Sequence, residues 1–173
     1  MKLSVIIYCN VFQGYPRELL PVTVQGIPSM HICLDFIPEL LSQPQVEKQV
    51  FAVDLVSHLA VRYIVPKSLC VARLAINTLS TLLGVLPCTS RALLFGPVLP
   101  SLTRMCKAFP PLVDDTVSLL MQLGRMCEAQ RSLAGPQSSV ATLEDDLNQE
   151  LCRRIKEIFS SIIREAVLSE KVY

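Results

Sequence analysis

The chain has 173 residues, of which 51% are hydrophobic and 18% charged, with a formal net charge of +1. That balance excludes a strongly basic nucleic-acid surface, and the absence of tryptophan leaves little for a base-stacking platform. A mean hydropathy of +0.44 is high for a soluble monomer and implies either a thick core or apolar surface left for a partner.

Cysteines stand at 9, 33, 70, 88, 106, 127 and 152. Their number is odd, no C-x-x-C pair occurs, and several fall inside helical runs, so buried free thiols in a reducing compartment are expected. Met1-Lys2 and the apolar run from Leu3 to Cys9 have the outline of a signal peptide. The run is short and no small-residue cleavage site follows it.

Gln13-Gly14-Tyr15 is a break. Pro16 to Val24 reads as a short helix ended by Gly26-Ile27. A second helix starts at Pro28 or Ser29 and runs to about Leu41, with Pro38 forcing a kink or an end near Ile37. Two proline-opened helices follow, Pro44 to Tyr63 and Pro66 to about Leu86. Ile64-Val65 between them is too short for anything but an antiparallel return. In the first of the pair, Val46, Val50, Val53, Val56 and Ala60 mark an apolar face, and Glu47, Lys48, Asp54 and Arg62 a wet one. The second carries less polar surface and is expected to be the more buried. Its stretch from Leu69 to Leu86 is the one membrane-span candidate, interrupted by Arg73 and Asn77.

Arg91 to Phe109 reads as helical but broken by Pro97 and Pro100, so a turn and then a helix ending at Ala108 are expected. Pro110-Pro111 resets the chain. A sixth helix runs from Pro111 to about Arg131, with Asp114 and Asp115 in its first turn, where the helix dipole favours anions. Ser132 to Ala141 is a linker. In the last helix Thr142 and Asp145 resemble a capping box, and Leu147, Leu151, Ile155, Ile158 and Ile162 line one face. Glu150 and Arg154 are set for a favourable i, i+4 pair.

The helix starts at Pro66 and Pro111 are separated by about one HEAT or armadillo period, on the order of 40–47 residues. The fold expected is therefore all-α: antiparallel helical hairpins stacked as an α-solenoid segment, with a compact bundle as the alternative. Residues 1–12 stand apart as a leader, 13–131 form the repeat segment, 132–141 the linker and 142–173 the C-terminal helix.

No chemistry-bearing constellation stands out. His31 and His58 lack partners at metal-ligand spacing. Asp114 and Asp115 are adjacent and point apart on a helix. Cys70 and Cys127 have no visible histidine base, and Arg153-Arg154 with Lys156 reads as a solvated helix face. No catalytic, cofactor or metal residue is assigned, and no cofactor or small-molecule ligand is expected.

Several ordered blocks carry a resemblance: Gly14-Tyr15-Pro16, Gly26-Ile27-Pro28-Ser29-Met30-His31, Glu47-Lys48-Gln49-Val50-Phe51-Ala52-Val53, Ser57-His58-Leu59, Pro66-Lys67-Ser68-Leu69-Cys70-Val71-Ala72-Arg73-Leu74-Ala75 and Ala108-Phe109-Pro110-Pro111-Leu112. Over roughly Gln13 to Cys127 the chain resembles the C-terminal region of the Integrator complex subunit 2 family. Family members are much longer, so a fragment or truncated form is expected. The resemblance implies a nuclear, non-enzymatic scaffold that binds other Integrator subunits through helical faces and associates indirectly with RNA polymerase II. The family's complex acts in small nuclear RNA 3′-end processing and in transcription termination and attenuation. Its catalytic residues lie in other subunits, and no direct nucleic-acid contact follows. Cytoplasmic or nuclear-membrane pools stay open. Two alternatives of other classes are a membrane-associated helical protein and an armadillo-like transport adaptor.

Overall fold

The computed structural model describes residues 15–133 and 143–170, with side chains described for 15–130 and 146–166. The leader, the linker beyond Leu133 and the Thr142 capping box lie outside the described residues. Within them every regular element is helical, as expected. The elements are α1 (Leu20–Gly26), α2 (Ile37–Leu41), α3 (Val46–Arg62), α4 (Pro66–Val85), α5 (Cys88–Ala108), α6 (Val113–Leu133) and α7 (Leu143–Glu170). Short 3-10 turns at Arg17–Leu19, Met30–Asp35 and Pro110–Leu112 lead into α1, α2 and α6.

Proline sets most of the starts. Pro66 opens α4, its missing N–H falling where a helix has no internal acceptor for it. Pro38 also stands in a first turn, that of α2, so it opens a new helix instead of kinking an old one. The expected single helix from Ser29 to Leu41 is therefore two pieces, a 3-10 turn and α2.

Pro97 and Pro100 do not break α5, which continues from Cys88 to Ala108. Burial overrides the local cost. Leu94, Phe95, Val98, Leu99 and Leu102 are fully buried, and α5 packs along both α3 and α7. Arg17 also donates from Nη2 to the Pro97 carbonyl at 3.4 Å.

The packing follows alternate elements. α3 lies along α5 and α5 along α7, while α2 packs on α4 and α4 on α6. One continuous core runs from Leu20 to Ile162. The expectation that α4 is more buried than α3 is reversed. α3 touches α1, α2, α4 and α5 and is buried along most of its length. α4 touches α2, α3, α5 and α6, yet leaves Leu74 and Val85 in solvent.

Side chains tie down the joints. Gln49 donates from Nε2 to the Gln43 carbonyl at 2.7 Å, satisfying backbone just past α2. The Tyr63 hydroxyl donates to the Pro28 carbonyl at 3.0 Å and anchors the segment between α1 and α2.

Candidate functional site

The local pattern places Asp54 on the wet side of α3, and the structure buries it. Between Val50 and Ala60 the polar residues Asp54, Ser57 and His58 are spaced i, i+3, i+4, which puts them on one stripe. α5 answers with Pro97, Ser101 and Arg104, again on one stripe. Ser101 Oγ donates to Asp54 Oδ1 at 3.0 Å, and Arg104 Nη2 donates to the same oxygen. Arg104 Nε reaches Ser57 Oγ at 3.0 Å, and Ser57 Oγ itself donates to the Asp54 carbonyl at 2.7 Å. Arg17, from the turn before α1, donates from Nε to Asp54 Oδ2 at 3.1 Å.

The Asp54 side chain is only 7% exposed, so its charge is balanced by two guanidinium groups instead of by water. This arrangement fastens three segments together. His58 Nε2 lies 3.7 Å from Asp54 Oδ1. Burial, and then the Arg104 charge, hold its ring below the usual imidazole range against the opposing pull of Asp54.

The other residues weighed for chemistry are dispersed. His31 is exposed and meets the Tyr63 ring edge-on, with centroids 5.6 Å apart. Asp115 pairs with Arg73 of α4 at 3.4 Å, while Asp114 stands beside it in the first turn of α6. Against the expectation of buried free thiols, Cys70 is exposed and Cys33 and Cys88 are half-buried, while Cys106, Cys127 and Cys152 are buried. Burial, with Cys152 alongside, pushes the Cys127 thiol well above its ordinary range, which removes the thiolate a nucleophile needs. No group of three or more His, Cys, Asp or Glu among the described residues could hold a metal ion.

One buried cation has no counterpart in the sequence reading. Arg91 of α5 donates to the Leu86 carbonyl at 3.1 Å and to Gln130 Oε1 at 3.4 Å. Its Nε is without a partner. It caps the end of α4 and ties it to α6. A lone arginine near the start of a helix gives no sequence signal of that role.

On α7 the expected Glu150–Arg154 pair is replaced. Glu150 pairs with Arg153 at 2.6 Å, and Arg153 also holds Glu157. The half-buried Arg154 turns toward α5, where a methyl group at Gly96 would lie 3.7 Å from its Nη1. With Lys156 lying 3.8 Å from Glu128 of α6, the basic cluster is split among three roles.

What the surface offers is apolar. Val22, Ile64, Val85 and Leu93 are more than half exposed, and they lie on four separate parts of the chain.

Comparison with known proteins agrees with the sequence blocks. The family model described as Integrator complex subunit 2 matches residues 6–132, reaching further toward the N-terminus than those blocks. The Homo sapiens protein of that name is 55% identical over 148 residues, 84% of this chain and 12% of the relative. The Drosophila melanogaster protein is 42% identical over 122 residues, 70% of this chain and 11% of the relative. The Dictyostelium discoideum homolog is 44% identical over 143 residues, 81% of this chain and 10% of the relative. The chain therefore spans 10–12% of the length of these relatives. With that model covering most of its residues and relatives this similar, the chain belongs to the Integrator complex subunit 2 family.

Proposed function

We propose that this chain is a non-enzymatic scaffold segment of the Integrator complex, built as a HEAT- or armadillo-like stack of helical hairpins. It binds other subunits through its helical faces and acts in the nucleus with RNA polymerase II, in small nuclear RNA 3′-end processing and transcription termination. The observation that carries this reading is the alternate packing of α3 on α5 on α7 and of α2 on α4 on α6. Such packing repeats along a chain and leaves outward faces free for partners. The exposed Val22, Ile64, Val85 and Leu93 support it. Among the described residues the buried charges are engaged in fastening helices, which leaves the candidate residues no catalytic geometry.

α4 favours a second reading. Pro66–Val85 is long and apolar enough to cross a bilayer by length and composition, and 39% of its apolar window is buried. Against a membrane span, Arg73 is paired with Asp115, and Lys67 with Asp35 at 2.5 Å, both on neighbouring parts of the chain. An inserted α4 would break both pairs and strip the core of Ala72, Ala75, Ile76 and Leu79.

The test is affinity capture of the tagged chain from nuclear extract without detergent, with partners identified by mass spectrometry. Recovery of Integrator subunits is expected. A well-folded chain, by circular dichroism, that recovers none of them would refute the scaffold reading. Partitioning of the chain into the membrane fraction would favour the second reading.

A further inference from the structure

The seam between α6 and α7 is open on its outer side. Leu120, Met121, Gly124 and Phe159 line a hollow of about 320 Å³ there. Met121 is 45% exposed, and Ile163 further along α7 is 37% exposed. A β-carbon at Gly124 would meet nothing closer than Ile155 Cγ2 at 4.0 Å, so the dent at this position exists because a side chain is missing. Arg125 and Lys156 also line the hollow, and Arg164 lines a neighbouring one that shares Lys156 and Ser160.

The charges along this seam are unevenly matched. Glu128 lies 3.8 Å from Lys156, and Glu157 is held by Arg153. Arg125 and Arg164 form no ion pair among the described residues. The seam's carboxylates are thus engaged, while Arg125 in the hollow and Arg164 beside it have no ion pair among the described residues.

The opposite flank of α6 shows what such a joint looks like when filled. α4 packs along α6, and Arg73 meets Asp115 at its rim. That joint is an apolar contact with an arginine–carboxylate pair beside it. The open flank supplies an apolar floor and arginines, and lacks the second helix and its carboxylates.

We propose that the α6–α7 groove is a docking site for an amphipathic helix that carries carboxylates beside its apolar stripe. The inference rests on the scaffold reading and gives it one specific face. An apolar helix stripe seats in such a groove, and unpaired rim charges select which stripe it is. The adaptable Met121 side chain suits the floor.

The experiment measures fluorescence anisotropy with the full chain and a labelled helical peptide of about 18 residues, with leucines at i, i+3/i+4 and i+7 and flanking glutamates. A second peptide replaces those glutamates with lysines. Saturable binding is expected, roughly tenfold tighter for the glutamate peptide. The Arg125→Glu/Arg164→Glu variant should reverse that preference. Gly124→Leu should fill the groove and abolish binding while the circular-dichroism melting curve stays cooperative and is not shifted down. Equal affinity for both peptides, or unchanged binding to Gly124→Leu, would overturn the proposal. So would light scattering that shows a dimer dissolved by Gly124→Leu, which would assign the groove to a second copy. The scaffold reading fails separately: a chain that captures Integrator subunits but shows no groove-dependent peptide binding loses only this docking site.

Discussion

Replacing Asp54 with asparagine isolates the charge in the α3–α5 seam, because the two side chains have nearly the same shape. The side chain is 7% exposed and accepts from Ser101, Arg104 and Arg17. Removing one member of a fully buried ion pair costs about 3–5 kcal/mol, most of it the penalty of the charge left behind. Here the stranded guanidinium groups are 32% and 37% exposed, so water recovers part of that penalty. Asparagine still accepts one or two of the hydrogen bonds. A loss of about 2–3 kcal/mol is therefore expected for Asp54→Asn. For a chain of this size that lowers the thermal midpoint by roughly 5–10 °C. Urea unfolding followed by circular dichroism measures it directly. The companion variant is Arg104→Met, which removes the guanidinium that touches Asp54, Ser57 and Ser101. The double variant should lose less than the two single losses summed, by about 1–2 kcal/mol, because each single change strands the other partner. If Asp54→Asn falls within about 0.5 kcal/mol of the parent, or the two losses simply add, the seam is not held by this charge and the reasoning is wrong.

Three further outcomes follow from burial and titration. Leu79 is fully buried and Leu74, on the same helix, is 41% exposed. Leu79→Ala should cost about 2–5 kcal/mol in chemical denaturation and Leu74→Ala under about 0.5, while Leu79→Asp should prevent folding. The native fold holds His58 below its ordinary value of 6.5, so the unfolded chain binds the extra proton first and stability falls as pH drops below that value. His58→Gln should flatten the decline in melting temperature seen below that pH. The Cys127 thiol is shifted the other way, above its ordinary value of 9.0, so the native state keeps a proton that the unfolded chain releases. Stability should fall as pH rises past about 9. Cys127→Ala should reduce that alkaline slope, and an unchanged slope would count against the burial of this thiol.

The pattern of helices is legible where punctuation and period agree. Pro66 marks the start of α4 to the residue, and the apolar spacing along α7 matches the burial of Leu151, Ile155 and Ile162. Legibility ends where tertiary packing reverses a local preference. Pro97 and Pro100 read as breaks because proline removes a helix donor, yet burial against two helices carries α5 through both. Asp54 reads as solvent-facing because a charge on a helix is normally hydrated. The signal that points inward is its company: Asp54, Ser57 and His58 are the polar residues of an otherwise apolar stretch from Val50 to Ala60, and their spacing makes them one stripe. A polar stripe on a helix that is apolar on its other sides has to face another polar stripe. The matching residues, Ser101 and Arg104, lie 47 and 50 positions away from Asp54, beyond the reach of any local window. Arg91 is illegible for the same reason, since its meaning depends on Gln130, 39 residues further on.

The polar seam also bears on how these helices keep their alignment. Leucine and valine faces tolerate sliding, because the apolar neighbour a side chain leaves at one position is largely replaced at the next. A slide of one helical turn would move α5 by about 5.4 Å against α3. Asp54 would then part from Ser101 and Arg104 together and stand buried without a counter-charge. The hydrogen bonds at 3.0 Å from Ser101 and from Arg104 to Ser57 are satisfied in one alignment alone. The cluster need contribute little net stability to have this effect, since its cost arises only in the misaligned states. A scaffold of the proposed kind depends on that fixed alignment more than on added stability. This places the buried charge in a seam that joins three parts of the chain, Arg17, α3 and α5, whereas along the α6–α7 seam Arg125 and Arg164 stand at the surface with no ion pair among the described residues.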